Sequence, residues 1–178
     1  MNKREKLLRE IYERKRLALG LNIFSFSVSA LCAAVFFALL AVLAWKREFL
    51  DVIAVILTTG VPFFAVGAVR RMINAPRPYE IYSFYEKNPK QLFPWERTEG
   101  KSDRGRSFPS RHAYSAFAIA TVVFFISPWL GAAMWTLGAF MCAARVLLGI
   151  HFIRDVICGA AVGVLAGTIG KFLLKIFI

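Results

Sequence analysis

The longest uncharged run in the chain covers residues 113–144 and reads AYSAFAIATVVFFISPWLGAAMWTLGAFMCAA. A transmembrane helix needs about 20 consecutive apolar residues, so this run is long enough for more than one short span. The segment Ser127-Pro128-Trp129 interrupts it, and proline breaks helices because it lacks an amide hydrogen. The run therefore predicts two short membrane spans joined by a turn at Pro128.

Three further apolar segments continue this pattern along the chain. They cover residues 17–45, about 50–69 and about 151–178. A soluble all-helical protein is the alternative class, but its core helices would need polar faces, and residues 31–45 have none. We therefore predict an all-α integral membrane protein, a bundle of five transmembrane helices, with six as the alternative count.

The first sixteen residues differ from the rest of the chain. Residues 1–16 contain seven Lys or Arg, and four apolar side chains share one helical face: Leu7, Leu8, Ile11 and Tyr12. This pattern predicts a basic amphipathic helix on the surface of an anionic bilayer, with a solvated tail as the alternative. Residues 17–178 form the single predicted membrane domain, in which residues 70–112 are the loop that carries the site.

The distribution of basic residues predicts the orientation in the membrane. Five spans place the N-terminus, residues 70–112 and the turn at residues 149–151 on one side. This side carries nineteen Lys or Arg and the other side carries four. Because lysine and arginine accumulate in cytoplasmic loops, we expect a multi-pass protein of the cell membrane with these segments in the cytoplasm. An outward-facing site is the alternative, because arginines that serve the site would also raise this count. The net charge of +12 indicates anionic lipid and not nucleic acid as partner, since the basic residues flank apolar spans.

The two histidines of the chain lie beside arginines at the ends of apolar segments. His151 and Asp155 are four residues apart, which on one helix places them on the same face. A hydrogen bond from the imidazole to the carboxylate would fix the tautomer and leave the other ring nitrogen able to attack or to accept a proton. A pair that serves only packing is the alternative, although ionisable groups inside a membrane are costly and usually functional.

Two polar residues begin the apolar run at residue 113. Ser110 is a favourable N-cap, and the backbone amides of such a helix start attract anions. His112 in the first turn could donate a proton to a leaving oxygen. A simple helix cap is the alternative. Three arginines lie at the ends of other spans: Arg70, Arg77 and Arg145. Their guanidinium groups could hold phosphate oxygens in bidentate contacts. The alternative is that each side chain only extends to the membrane interface, as isolated arginines at span ends often do.

Together these segments resemble the signature of the type-2 phosphatidic acid phosphatase superfamily, which also includes the vanadium haloperoxidases. The family pattern is Lys-x6-Arg-Pro, then Pro-Ser-Gly-His, then Ser-Arg-x5-His-x3-Asp. The chain matches it, over about residues 50–175, in three segments: Arg70-x6-Arg77-Pro78, Pro109-Ser110-Arg111-His112 and Ala144-Arg145-x5-His151-x3-Asp155.

The resemblance implies a membrane lipid phosphatase with a phosphohistidine intermediate. His151 would attack phosphorus, Asp155 would orient it, and His112 would protonate the leaving alcohol. No metal and no other cofactor is implied, and the phosphoryl oxygens would be bound by Arg70, Arg77, Ser110 and Arg145. The implied substrate is an anionic lipid phosphate or diphosphate, of the phosphatidic acid, phosphatidylglycerol phosphate or polyprenyl diphosphate type.

Two other functions and the oligomeric state stay open at this point. One is a non-catalytic protein that binds or transports a lipid phosphate, and the other is a metal-dependent enzyme that uses the histidines as ligands. Arg111 motivates the first, because it replaces the glycine of the family pattern. If that position needs a positive φ, arginine would be strained there; alternatively its side chain adds a cation for a second phosphate or an acidic headgroup. Arg70 keeps the charge of the family lysine, and Ala144 removes one hydroxyl.

Overall fold

The computed structural model describes residues 3–85 and 105–173, and within these ranges all regular structure is helical. The α-helices, in chain order, are α1 Lys3–Glu13, α2 Lys15–Trp45, α3 Phe49–Val55, α4 Val61–Ile73, α5 Pro78–Ile81, α6 Arg111–Ile126, α7 Pro128–Leu147 and α8 Ile153–Leu173, with a π-helical turn at Ile56–Gly60 between α3 and α4. This confirms the predicted all-α class.

The membrane-spanning pattern agrees with the apolar segments of the sequence. Four of the described helical segments are long and apolar enough to cross a membrane, and α6 is a shorter apolar helix. At 1.5 Å per residue, its sixteen residues rise about 24 Å. Pro128 is the first residue of α7, so the predicted break in the long uncharged run is confirmed.

The second span contains a feature that the hydropathy does not reveal. The π-turn lies between α3 and α4, and the hydroxyl groups of Thr58 and Thr59 donate to helix carbonyls one turn earlier, at 2.7 and 2.6 Å. The carbonyl of Thr59 accepts a hydrogen bond of 2.7 Å from the buried Tyr114 of α6. Local widening of the helix thus creates a polar contact that fixes this span against α6.

Helices α6 and α8 pack closely because α8 presents a row of glycines. Any Cβ at Gly159 would collide with the carbonyl of Ser110, and one at Gly163 with the carbonyl of Tyr114. Gly167 continues the row against Thr121. Small residues at four-residue spacing allow membrane helices to approach to backbone contact. The close approach brings the first turn of α6 next to the first turn of α8, where the site lies.

The predicted basic amphipathic segment contains helix α1, and part of its apolar face packs against the protein. Leu8 and Ile11 are buried within the protein, so this half of the stripe does not reach lipid. Contact of the outer face with the bilayer stays a prediction. Tyr12 packs edge-on against Tyr85 with 4.8 Å between ring centroids. The N-terminal helix and the start of the long loop therefore share one end of the bundle.

Candidate active site

His151 lies in the turn that joins α7 to α8. The carbonyl of Arg145 accepts hydrogen bonds from the amides of Ile150 and His151, at 3.0 and 3.3 Å. Gly149 has φ +70°, and a Cβ there would collide with the ring of Tyr85. The turn is therefore closed against α7, and the side chain of His151 is fully buried.

The structure corrects the predicted helical stacking of His151 on Asp155. Helix α8 begins at Ile153, so His151 precedes it and only Asp155 is helical. Their nearest atoms, Nδ1 and Oδ2, are 3.7 Å apart, which is beyond hydrogen-bond distance. Asp155 instead accepts a hydrogen bond from the amide of Phe152 at 2.9 Å, so it caps its own helix.

A residue that the sequence did not single out lies between the two. The hydroxyl of Ser107 donates to Oδ2 of Asp155 at 2.5 Å and lies 3.4 Å from Nδ1 of His151. Ser107 is fully buried. It precedes the Pro-Ser-Arg-His segment by two residues, and no spacing rule marks it, because its role depends on how the loop folds back onto α8.

Three predicted arginines converge on this histidine from separate elements. Arg70 lies in the last turn of α4, Arg145 in the last turn of α7, and Arg77 just before α5. All three side chains are buried. Arginine is normally excluded from protein interiors unless its charge is compensated. Within the described ranges, neither Arg70 nor Arg145 has a carboxylate within 4.0 Å. Their charges are thus available to an anion.

Arg77 is held in a fixed orientation by backbone groups. Its Nε donates to the carbonyl of Gly105 at 3.0 Å and its Nη1 to the carbonyl of Ile150 at 3.2 Å. The carboxylate of Glu80 accepts from the amide of Arg77 at 3.0 Å and from the amide of Gly105 at 2.7 Å. Glu80 therefore fastens both ends of the long loop to each other, a role that the sequence did not predict.

The second motif also lies at this end of the bundle. Ser110 is the N-cap of α6, as predicted, and its Oγ accepts from the amide of Ala113 at 3.4 Å. Its own amide donates to the carbonyl of Asp155 at 2.9 Å. His112 lies in the first turn of α6 and is half-buried. This placement agrees with the helix-start position from which we expected it to donate a proton.

Arg111 is not strained. It is the first residue of α6 and does not have a positive φ, so the helix accommodates an arginine where the family pattern has glycine. Its guanidinium lies 5.5 Å from the ring centroid of Phe63 on α4, a cation–π distance. The side chain is exposed, and it remains a candidate for contact with an anionic group at the mouth of the site.

The electrostatics of His151 favour the neutral ring. Burial lowers the pKa of His151, and the positive charges of Arg145, Arg77 and Arg70 lower it further, against an opposing effect of Asp155. Among the described residues, the Nε2 atom of His151 has no hydrogen-bond partner although it is buried. A neutral imidazole with one unoccupied nitrogen beside three arginines can attack an electrophilic centre that carries negative charge.

The sequence profile of the PAP2 superfamily matches residues 51–174. The chain belongs to this superfamily. The match includes every predicted site residue, and residues 1–16 lie outside it. The family resemblance deduced from the three motifs is thereby confirmed.

Individual relatives are lipid phosphatases. The lipid A 1-phosphatase of Porphyromonas gingivalis is 39% identical over 71 residues, which is 38% of this chain and 16% of that protein. The chain thus matches about a sixth of this curated relative. The crystal structure of Aquifex aeolicus LpxE is similar with a TM-score of 0.64 and 28% identity, over 90% of this chain and 93% of that one.

A second solved structure supports the fold. The PAP2-type phosphatidylglycerolphosphate phosphatase of Bacillus subtilis has a TM-score of 0.61 over 97% of this chain and 86% of that one, at 18% identity. It is a transmembrane protein. The helical membrane bundle predicted from hydropathy thus agrees with the fold of this transmembrane protein.

Proposed function

We propose that the protein is a phosphatase that hydrolyses the phosphate of a membrane lipid through a phosphohistidine intermediate. One observation carries this proposal. The unoccupied Nε2 of the buried His151 lies in the field of three buried arginines, two of which have no carboxylate within ion-pair distance in the described ranges. A site of this kind binds a phosphoryl group and presents a nucleophile to it.

In the proposed first step, Nε2 of His151 attacks phosphorus. The bond from phosphorus to the lipid oxygen breaks, and His112 supplies the proton that this oxygen takes up. In the second step, His112 removes a proton from water, the water oxygen attacks phosphorus, and the bond to Nε2 breaks to release phosphate. Phosphoryl transfer depends mainly on positioning and on compensation of charge at the equatorial oxygens, which is the role of the arginines. No metal takes part in this scheme.

The lipid character of the substrate is supported by an apolar groove that adjoins Arg111. It has a volume of about 410 Å³ and lies between α2, the π-turn, α4 and α6, in the size range of small-molecule sites. Phe63 lines the groove, and its ring also makes the cation–π contact with the guanidinium of Arg111. Ser115, another lining residue, is one helical turn beyond Arg111 on α6. A phosphate in the site could thus be continuous with an acyl chain in the groove.

The relative from Porphyromonas gingivalis favours a lipid A 1-phosphate as the first substrate to test. We expect the purified protein in detergent to release phosphate from at least one lipid of a panel that contains lipid A 1-phosphate, phosphatidic acid, phosphatidylglycerol phosphate and a polyprenyl diphosphate. Release should continue in EDTA and should be inhibited by vanadate, which imitates the pentacoordinate phosphoryl group. Binding of these lipids without any release would indicate a non-catalytic binding protein, and loss of activity in EDTA would indicate a metal enzyme.

We also propose that the site faces the cytoplasm, because in the five-span topology predicted from the sequence its side carries nineteen of the twenty-three Lys and Arg. The exposed Ser83 offers a position for labelling. In spheroplasts, a Ser83→Cys variant should react with a membrane-impermeant maleimide only after the membrane is opened. The wild-type protein is the control for labelling of the three native cysteines, Cys32, Cys142 and Cys158. Labelling of intact spheroplasts would place the site outside.

A further inference from the structure

We propose that Ser107 is the positioning residue that connects Asp155 to His151 and holds the imidazole as the Nδ1–H tautomer. The kinetic part of this inference rests on the proposed phosphatase function, whereas the tautomer itself does not. Neither the family motifs nor the spacing of the histidine and the aspartate includes this serine.

The distances favour an indirect connection over a direct one. Ser107 Oγ is 2.5 Å from Asp155 Oδ2 and 3.4 Å from His151 Nδ1. The direct distance between Nδ1 and Oδ2 is 3.7 Å. The hydroxyl is thus closer to each partner than the two partners are to each other, and it is the group through which the carboxylate can act on the ring.

The single hydrogen of the Ser107 hydroxyl then determines the tautomer of His151. A serine hydroxyl has one hydrogen, and an ionised carboxylate only accepts. Because Ser107 donates its hydrogen to Asp155, its Oγ offers only lone pairs to His151. The ring can satisfy this contact only with a hydrogen on Nδ1, which leaves the lone pair on Nε2. This is the nitrogen that has no partner among the described residues.

The backbone around Ser107 is fixed by hydrogen bonds. The amide of Ser107 donates to the carbonyl of Ala75, and the amide of Ser110 donates to the carbonyl of Asp155, both at 2.9 Å. Ser107 is fully buried, so its hydroxyl cannot turn to water. The oxygen of Asp155 that accepts from Ser107, Oδ2, also accepts from the amide of Phe152 at 2.9 Å. Hydrogen bonds outside the Ser107–Asp155 contact therefore hold both the backbone of Ser107 and the carboxylate of Asp155.

The tautomer can be observed directly, because the chain contains only two histidines. Protonated and unprotonated imidazole nitrogens have well-separated ¹⁵N resonances, and a His112→Gln variant assigns the signals of His151. In the wild-type protein at neutral pH, we expect His151 to carry its hydrogen on Nδ1. A hydrogen on Nε2 instead would overturn the proposal. This test uses the wild-type protein and does not require that the protein hydrolyse a substrate.

Variants of Ser107 test the link to catalysis. We expect Ser107→Ala to give mixed tautomers of His151 and to lower kcat by about 10- to 100-fold, typical of the loss of an orienting partner, with KM nearly unchanged. Ser107→Thr keeps the hydroxyl and should restore both. Thr168→Ala, which removes a partly buried hydroxyl on α8, should behave as wild type. A pure Nδ1–H tautomer together with wild-type kcat in Ser107→Ala would contradict the proposal.

The two proposals can fail separately. If the wild-type protein hydrolyses no lipid phosphate, the proposed function fails, but the ¹⁵N result still decides the role of Ser107.

Discussion

Replacement of His151 by alanine is expected to lower kcat/KM for lipid phosphate hydrolysis by about 10⁴- to 10⁶-fold, the range seen when a catalytic nucleophile is removed. The arginines that surround the site carry no electron pair that could replace Nε2 at neutral pH. The reaction would then depend on water in a site arranged for a histidine. Phosphate release from the preferred lipid, measured for the wild type and for His151→Ala, gives the ratio.

The same variant tests whether the enzyme becomes phosphorylated. Rapid denaturation during turnover of a ³²P-labelled lipid phosphate should leave a base-stable, acid-labile label on the wild-type protein, as expected for phosphohistidine, and none on His151→Ala. Ile153→Ala is a matched control, because Ile153 lies two residues away on α8 and is exposed. A label of wild-type intensity on His151→Ala would contradict the proposed intermediate. Equal thermal unfolding midpoints would show that loss of activity is not loss of the fold.

The overall fold was predictable from the sequence because a lipid environment requires a strong compositional pattern. A helix that crosses the hydrocarbon must consist of apolar residues along its whole length. The same requirement makes interruptions easy to locate, and Pro128 marks the break between α6 and α7. The N-cap at Ser110 was equally predictable, since a serine before an apolar run satisfies the amides at the helix start.

The parts of the fold that the sequence did not reveal depend on local backbone geometry. The π-turn in the second span has the same hydropathy as an α-helix, so only its hydrogen bonds distinguish it. The close packing of α8 could have been predicted from its row of glycines. Its four-residue spacing, from Gly159 through Gly163 to Gly167, is typical of close helix packing in membranes.

The sequence indicated which residues lie together at this end of the bundle better than it indicated their geometry. The four-residue spacing of His151 and Asp155 suggested direct contact because it assumes one continuous helix. Gly149 in a left-handed conformation starts a turn, and this turn ends only where α8 begins. The resulting shift leaves a gap, which the hydroxyl of Ser107 fills. A contact between residues far apart in sequence has no periodic signature.

The second large effect is expected at Arg70. Arg70→Ala should lower kcat/KM by about 10²- to 10³-fold, as does the loss of one donor to a developing oxyanion. Arg70 is 6% exposed, and its positive charge contributes to the lowered pKa of His151. Its removal leaves the phosphoryl oxygens with fewer compensating charges when negative charge is greatest. Initial rates over a range of lipid phosphate concentrations should show a lower kcat as well as a raised KM.

Arg71, the next residue on α4, makes a matched control for this prediction. Its side chain is exposed, so Arg71→Ala removes the same charge from the same helical turn without altering the site, and we expect kcat/KM to stay within about threefold of wild type, since exposed charges contribute little. Arg70→Lys should recover most of the activity, because the ammonium group keeps the charge that the family pattern requires. Equal losses in the two alanine variants would mean that Arg70 acts only through the general positive field of this membrane face. In that case the phosphoryl group is held by Arg77 and Arg145 alone.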